Sequence, residues 1–167
     1  MKQTIESVTN VKNTLKMDKY YLGIDPGKHG GLCVLNSSGD IVALHTMPQT
    51  PTDLKLLLSN ISACHSPLVC AIERVGGMPG QGGAAMFSFG YNYGQLIQCL
   101  TDSNIAHTEV LPAKWQTAMG CRGKSGESKT SHKNRIKDMA KRKFPNVKIT
   151  LATADAVMIA CYALAKL

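Results

Sequence analysis

The chain has 167 residues and a formal net charge of +8, from 19 Lys and Arg against 11 Asp and Glu. This length fits one domain with a sizeable core, and no apolar run approaches the length of a membrane span. The six cysteines show neither a CxxC pair nor zinc-ligand spacing. We therefore expect reduced thiols and a reducing compartment, the cytoplasm of a bacterial or phage-infected cell, with an organelle as the alternative.

The first half of the chain predicts three antiparallel strands and then a helix. Short apolar runs at 20–25, 30–35 and 41–45 are separated by turn residues typical of hairpins. Thr52 or Asp53 is the predicted cap of the following helix. We expect a flexible extension over residues 1–18 and one domain over 19–167.

The second half alternates strands and helices. A buried strand is predicted at 68–73 and a Gly-rich loop at 76–83. The remaining predicted elements are a helix at 87–100, a strand at 107–111, a basic helix at 133–144 and an apolar helix at 153–167. This order predicts an α/β fold with a mixed five-stranded sheet and helices on both faces.

Three carboxylates stand at the polar ends of apolar elements. Asp25 ends the first strand, Glu73 ends the fourth, and Asp155 is placed in the first turn of the last helix. If the first and fourth strands are neighbours, Asp25 and Glu73 share one sheet edge. Packed carboxylates repel unless a cation separates them, and oxygen ligands favour Mg²⁺ or Mn²⁺. The pattern predicts a two-metal site suited to phosphodiester cleavage; separate solvated or capping carboxylates are the alternative.

Basic residues are concentrated between positions 122 and 143, where only Glu127 and Asp138 oppose them. Such a patch suits a nucleic acid, although many charge runs are simply solvated helix faces. The candidate DNA contacts are Arg122, Lys124, Lys129, Lys133, Arg135 and Lys137.

The predicted helix at 87–100 carries an apolar stripe on one face. Its members are Phe89, Tyr93, Ile97 and Leu100. The stripe exceeds what one sheet face needs, so we expect part of it to join two copies of the chain. Burial of the whole stripe within one subunit is the alternative.

The ordered motifs resemble the RuvC family of Holliday-junction resolvases, which have the RNase H-like fold. They are Gly23-Ile24-Asp25-Pro26-Gly27, Ile72-Glu73 and Ala154-Asp155-Ala156. Phe89-Gly90-Tyr91, the segment 112–115 and Phe144-Pro145 are similar to phage RuvC-like proteins and the plant chloroplast resolvase. The resemblance implies a homodimer that acts in DNA recombination and repair. It would bind a four-way DNA junction and nick two strands, using two Mg²⁺ ions per active site, with Mn²⁺ able to substitute.

The same resemblance assigns roles to individual residues. It implies that Asp25, Glu73 and Asp155 are metal ligands and catalytic residues, and that Lys133 approaches the scissile phosphate, with Lys129 as its rival. It also implies that the loop at 76–83 enters the junction centre. The family usually has an acidic residue or His three places before its last Asp, whereas this chain has Ala152.

Three hypotheses for the function follow. The first is a metal-dependent junction endonuclease. The second is a catalytically silent junction-binding protein, because alanine at position 152 can neither bind a metal nor act as a base. The third is an actin-like phosphotransfer domain, whose phosphate loop has the same Gly-Ile-Asp-x-Gly pattern and could use Gly27, Gly30 and Gly31.

Overall fold

The computed structural model describes residues 18–74, 76 and 82–167. The strands are β1 (Tyr20–Asp25), β2 (Gly31–Leu35), β3 (Ile41–Thr46), β4 (Leu68–Glu73) and β5 (His107–Val110). The helices are α1 (Pro51–Cys64), α2 (Gly83–Asp102), α3 (Pro112–Ala118), α4 (Lys129–Lys143) and α5 (Leu151–Lys166).

The five strands form one mixed sheet in the order β3-β2-β1-β4-β5. The β1–β2 and β2–β3 pairs are antiparallel, while β4 lies parallel to both β1 and β5. The predicted mixed five-stranded sheet and its opening hairpins are confirmed. Gly39 adopts φ +87° in the β2–β3 turn, a conformation that suits glycine.

Helices cover both faces of the sheet, as predicted. On one face, α3, α4 and α5 pack against a buried cluster that includes Cys33 and Ala71. On the other, α1 and α2 pack against Leu22 and Ile24. Within β1, Leu22 and Ile24 thus face α1 and α2, while Tyr21 packs on the opposite face. This alternation is what the two-residue period of a strand requires.

Three helices begin earlier than predicted, and each is capped by a residue that lies before its predicted start. Thr50, not Thr52 or Asp53, caps α1, and its Oγ accepts the Asp53 N–H at 3.1 Å. Ser128 likewise caps α4, so that helix begins at Lys129. Thr150 and Thr153 form a capping box at the start of α5.

Two further features differ from the sequence prediction. The seven-residue helix α3 was not predicted, because its sequence is too short for helical periodicity to register. The early start of α5 places Asp155 in the second turn, not the first. Residues 1–17 of the predicted extension and most of the predicted 76–83 loop lie outside the described residues. Within the described ranges, no helix is both long and apolar enough to cross a membrane.

Candidate active site

The three candidate carboxylates lie at one edge of the sheet. Strands β1 and β4 are parallel neighbours, with Ile24 opposite Ile72. Asp25 and Glu73, the last residues of these strands, therefore lie side by side at the same edge of the sheet. Helix α5 crosses β1 on the same face and carries Asp155. The sheet register and the packing of α5 thus bring together three residues that are far apart in sequence.

Close contact between α5 and β1 depends on a glycine. A Cβ on Gly23 would overlap the backbone nitrogen of Ala160 and the carbonyl oxygen of Ala156. The helix therefore lies directly against the strand backbone, one turn beyond Asp155. Any larger residue at position 23 would push α5 away from the strand that ends in Asp25.

Burial raises the pKa of all three carboxyl groups, and repulsion from neighbouring carboxylates adds to it for Glu73 and Asp155. Burial raises the pKa of Glu73 to about 7, with further increases from the charges of Asp25 and Asp155. Burial, then the charge of Asp25, raises the pKa of Asp155 to about 6. The pKa of Asp25 is raised by burial against a smaller opposing hydrogen bond from Gly27. Added positive charge would stabilise the ionised form of this cluster.

Trp115 orients Glu73. Its indole Nε1–H donates to Glu73 Oε2 at 2.6 Å, and the ring is fully buried against α5. The sequence analysis did not predict this contact between Trp115 and Glu73. The available signal was that a buried indole N–H needs an acceptor.

One lysine contacts the cluster. Lys133 Nζ lies 4.0 Å from Asp155 Oδ2, and its side chain is 59% exposed. Of the two candidate lysines, the structure thus places Lys133 beside a carboxylate. The side chain of Lys133 is thus largely open to solvent while its ammonium group lies near Asp155.

Close backbone packing requires glycine at positions 30 and 31, shortly after Asp25. The Gly27 N–H donates to Asp25 Oδ1 at 3.3 Å. A Cβ on Gly30 would overlap the Asp25 carbonyl oxygen and lie 2.8 Å from its Cγ. A Cβ on Gly31 would lie 2.6 Å from the carbonyl oxygen of His45. The need for close backbone approach explains Gly30 and Gly31 without a phosphate cradle, so nothing here favours the actin-like hypothesis.

The donor chemistry fits a hard divalent cation. Asp25, Glu73 and Asp155 supply oxygen only, the ligand that Mg²⁺ and Mn²⁺ prefer. Among the described residues, no group of three or more His, Cys, Asp or Glu is arranged to hold a metal ion as it stands. A cation bound among these carboxylates would relieve their repulsion.

Position 152 contributes no fourth donor. Ala152 is half-buried in the first turn of α5, three residues before Asp155, and such a pair shares a helix face. Its carbonyl oxygen lies 3.0 Å from where a Cβ on Gly31 would be. The backbone is therefore tightly packed at this position, while the side chain offers only a methyl group.

Two of the predicted DNA contacts bond within the protein. The Arg135 guanidinium donates to Glu127 Oε1 at 2.9 Å, to Glu127 Oε2 at 2.8 Å and to the Arg122 carbonyl oxygen at 2.8 Å. Lys137 Nζ donates to Asn134 Oδ1 at 3.1 Å. The remaining predicted contacts, Arg122, Lys124, Lys129 and Lys133, are exposed. Arg135 is therefore bonded to the protein's own loop.

The predicted dimer stripe is mostly turned inward. Leu100 is fully buried, and Tyr93 and Ile97 pack against the same core cluster. Leu100 was thus wrongly assigned to an interface, because the C-terminal half of α2 covers the sheet together with α1. The exposed apolar residues of α2 lie nearer its start: Met86, Phe87 and Tyr91.

The sheet order, the helices on both faces and the acidic edge together define an RNase H-like fold, as expected from sequence. The chain is similar in structure to RuvC from Thermus thermophilus. Against that RuvC in complex with a Holliday junction substrate, the TM-score is 0.61 at 17% identity, covering 87% of this chain and 90% of the other. Against a second structure of Thermus thermophilus RuvC the TM-score is 0.58 at 17% identity, covering 87% and 91%. No protein-family model matches the sequence, and no curated protein is similar to it.

Proposed function

We propose that this chain is a structure-specific endonuclease that binds four-way DNA junctions and cuts them by metal-dependent strand nicking. The observation that carries the proposal is the meeting of Asp25, Glu73 and Asp155 at one edge of a RuvC-like sheet. The similar RuvC structure bound to a Holliday junction supports the choice of substrate.

The chain's own residues would divide the chemistry among them. Asp25, Glu73 and Asp155 would hold divalent ions, which when bound activate water and stabilise the leaving oxygen. Trp115 fixes the rotamer of Glu73, so that one ligand is positioned before the ion binds. Lys133 would contact the phosphate next to Asp155 and offset its negative charge.

Junction recognition would require two copies of the chain. A homodimer with two-fold symmetry presents two acidic sites to a junction of matching symmetry, which is how paired nicks would arise. Met86, Phe87 and Tyr91 form the exposed apolar surface on α2 that such a dimer would bury. The exposed basic residues between 122 and 133 would contact the DNA backbone.

Incubation with a synthetic four-way junction tests this function directly. We expect paired nicks in Mg²⁺, none in EDTA, and little cutting of a linear duplex of the same sequence. Asp155→Asn should abolish the nicks and leave junction binding intact. Binding of linear duplex and junction with equal affinity, combined with no cutting in Mg²⁺ or Mn²⁺, would refute the proposal.

Ala152 supports a second candidate, a junction-binding protein that does not cut. Losing one ligand of a two-metal site can reduce the rate by orders of magnitude, because both ions must be correctly placed. If this holds, the unmodified chain binds junctions and nicks them slowly, and Ala152→Asp accelerates nicking. Ala165→Asp, which adds the same charge at the exposed end of α5, is the matched control. Rapid nicking by the unmodified chain, unchanged by Ala152→Asp, would rule this candidate out.

A further inference from the structure

Residues 121–128, which directly precede α4, are held to that helix by an ion pair within the basic patch. Arg135 contacts Glu127 through two nitrogen–oxygen pairs, at 2.9 and 2.8 Å. Its Nη2 also donates to the carbonyl oxygens of Arg122 at 2.8 Å and Cys121 at 3.5 Å. Both ends of the segment are thus attached to one guanidinium group. We call the Arg135–Glu127 pair with these carbonyls the clamp.

Two further contacts fix the segment. Glu127 Oε2 accepts the backbone N–H of Lys124 at 2.9 Å, and the Glu127 N–H donates to the Lys124 carbonyl at 3.1 Å. His132 Nε2 lies 2.7 Å from the Cys121 carbonyl oxygen. Gly126 has φ +75°, which suits a tight turn. The segment is thus closed on itself and docked on α4.

The segment begins beside the acidic site. Cys121 is buried in the same hydrophobic cluster as α5. Burial, and then the charge of Asp155, raises the pKa of its thiol to about 11. His132 immediately precedes Lys133, which contacts Asp155. Arg122 and Lys124, by contrast, are exposed. Two exposed cationic side chains are therefore carried by a hydrogen-bonded segment that begins near Asp155.

We propose that Arg135 and Glu127 are positioning residues, which hold Arg122 and Lys124 ready to contact a nucleic-acid phosphate adjoining the acidic site. This inference rests on the proposed function. An ordered segment loses less conformational freedom when a ligand binds, so the clamp raises affinity although neither clamp residue touches the ligand. Glu127 thus strengthens binding of a polyanion despite its own negative charge.

The variant Glu127→Gln distinguishes the positioning role from simple electrostatics, because the two predict opposite changes in DNA affinity. Glu127→Gln raises the formal net charge from +8 by one unit, so simple electrostatics predicts tighter binding to DNA. Loss of the clamp predicts weaker binding, by about three- to tenfold, because the segment must be ordered on binding. Asp138→Asn is the matched control, since it adds the same charge on the exposed surface of α4 outside the clamp.

A second pair of variants separates geometry from charge. Arg135→Lys keeps the charge but cannot make the two-pronged contact with Glu127. We expect it to weaken junction binding as Glu127→Gln does. Lys141→Arg, at an exposed position of the same helix outside the clamp, is its control. All variants are first checked for folding by circular dichroism at the assay temperature.

The experiment measures hydrogen exchange of the 122–128 amides, and the affinity of each full-length variant for a synthetic four-way junction at several salt concentrations. Glu127→Gln and Arg135→Lys should exchange faster in this segment and bind more weakly; the controls should not. Unchanged exchange, or tighter binding by Glu127→Gln, would overturn the positioning role. If the unmodified chain binds no DNA, the proposed function fails instead, while the exchange data still decide whether the clamp exists.

Discussion

At the residue scale, the environment of Glu73 governs the acidic site. Its carboxyl group is surrounded by the buried ring of Trp115 and by two other carboxylates. The hydrogen bond from Trp115 favours the ionised form, but burial and repulsion outweigh it and raise the pKa to about 7. Without a cation, the folded state therefore disfavours the charge that the site would use.

The raised pKa predicts a pH-dependent gain in stability on Glu73→Gln. The ordinary pKa is 4.5 and the folded value is about 7, so ionisation penalises the folded state increasingly above pH 4.5 and fully above pH 7. In EDTA, Glu73→Gln should raise the free energy of unfolding by about 3 kcal/mol at pH 8 and far less at pH 5. Urea unfolding at the two pH values measures the effect. Equal gains at both pH values, or the same gain from Asp138→Asn, would contradict this explanation.

The roles of Trp115 and Arg135 show what the sequence could not reveal at this scale. The positions of Asp25 and Glu73 followed from strand ends, because hydrophobic runs and turn residues mark those ends clearly. A basic residue is available to bind DNA only if no other part of the fold pairs with it, and the sequence does not show such pairing. Arg135, for example, pairs with Glu127 across a loop. Composition identified the basic patch but not the clamp inside it.

At the element scale, the packing of α5 on β1 sets the position of Asp155. Gly23 allows the helix backbone to contact the strand backbone at Ala156 and Ala160. Small residues at the crossing leave no side chain able to give way. The distance between Asp155 and the end of β1 is thus determined by a position that bears no functional group.

We predict that Gly23→Ala destabilises the protein by about 3 kcal/mol or more, because overpacking against backbone cannot be relieved by a rotamer change. Gly94→Ala is the control: it lies within α2, and a Cβ there meets nothing within 4 Å. It should stabilise the chain by about 0.5–1 kcal/mol through helix propensity. Thermal unfolding of both variants measures the difference. A Gly23→Ala variant as stable as the unmodified chain would show that α5 can move away from β1.

The elements themselves were predictable where local signals agree. The bounds of β1 and β4 matched the prediction, because apolar runs, turn residues and the terminal carboxylates all mark the same limits. Helix starts were predicted late, because Thr50, Ser128 and Thr150 act through side-chain caps outside the periodic run. Helix α3 was missed because seven residues hardly define a period.

At the scale of the whole molecule, α2 has two different surfaces. Its C-terminal half covers the sheet through Leu96 and Leu100. Near its start, Phe87 is 77% exposed and its ring stacks on Tyr91 with centroids 6.5 Å apart. An exposed aromatic pair of this kind is typical of an interaction surface.

We predict that the unmodified chain is a dimer and that Phe87→Glu converts it to a folded monomer. Ile97→Glu should instead lower stability, because Ile97 packs against the core. Light scattering at micromolar concentration with circular dichroism separates the two effects. A monomeric unmodified chain, or a Phe87→Glu variant that remains dimeric, would contradict an interface at this surface.

Junction affinity should depend steeply on salt, because lysines and arginines displace counterions from the DNA. Each phosphate contact adds about 0.9 to the slope of log K against log salt concentration. Lys124→Ala and Lys133→Ala should each reduce the slope by about that amount, whereas Lys166→Ala, at the far end of α5, should not. Binding isotherms at four salt concentrations provide the slopes. Identical slopes for all three variants would place the DNA elsewhere.

The central claim is that Asp25, Glu73 and Asp155 form one divalent-cation site. Its most direct test is calorimetric titration of Mn²⁺ into the DNA-free protein at pH 8, where Glu73, with its pKa of about 7, is mostly ionised. We expect saturable Mn²⁺ binding that weakens at pH 6, is lost in Asp25→Asn, and is unchanged in Asp138→Asn. No binding by the unmodified chain at millimolar Mn²⁺, or equal binding by both variants, would contradict it.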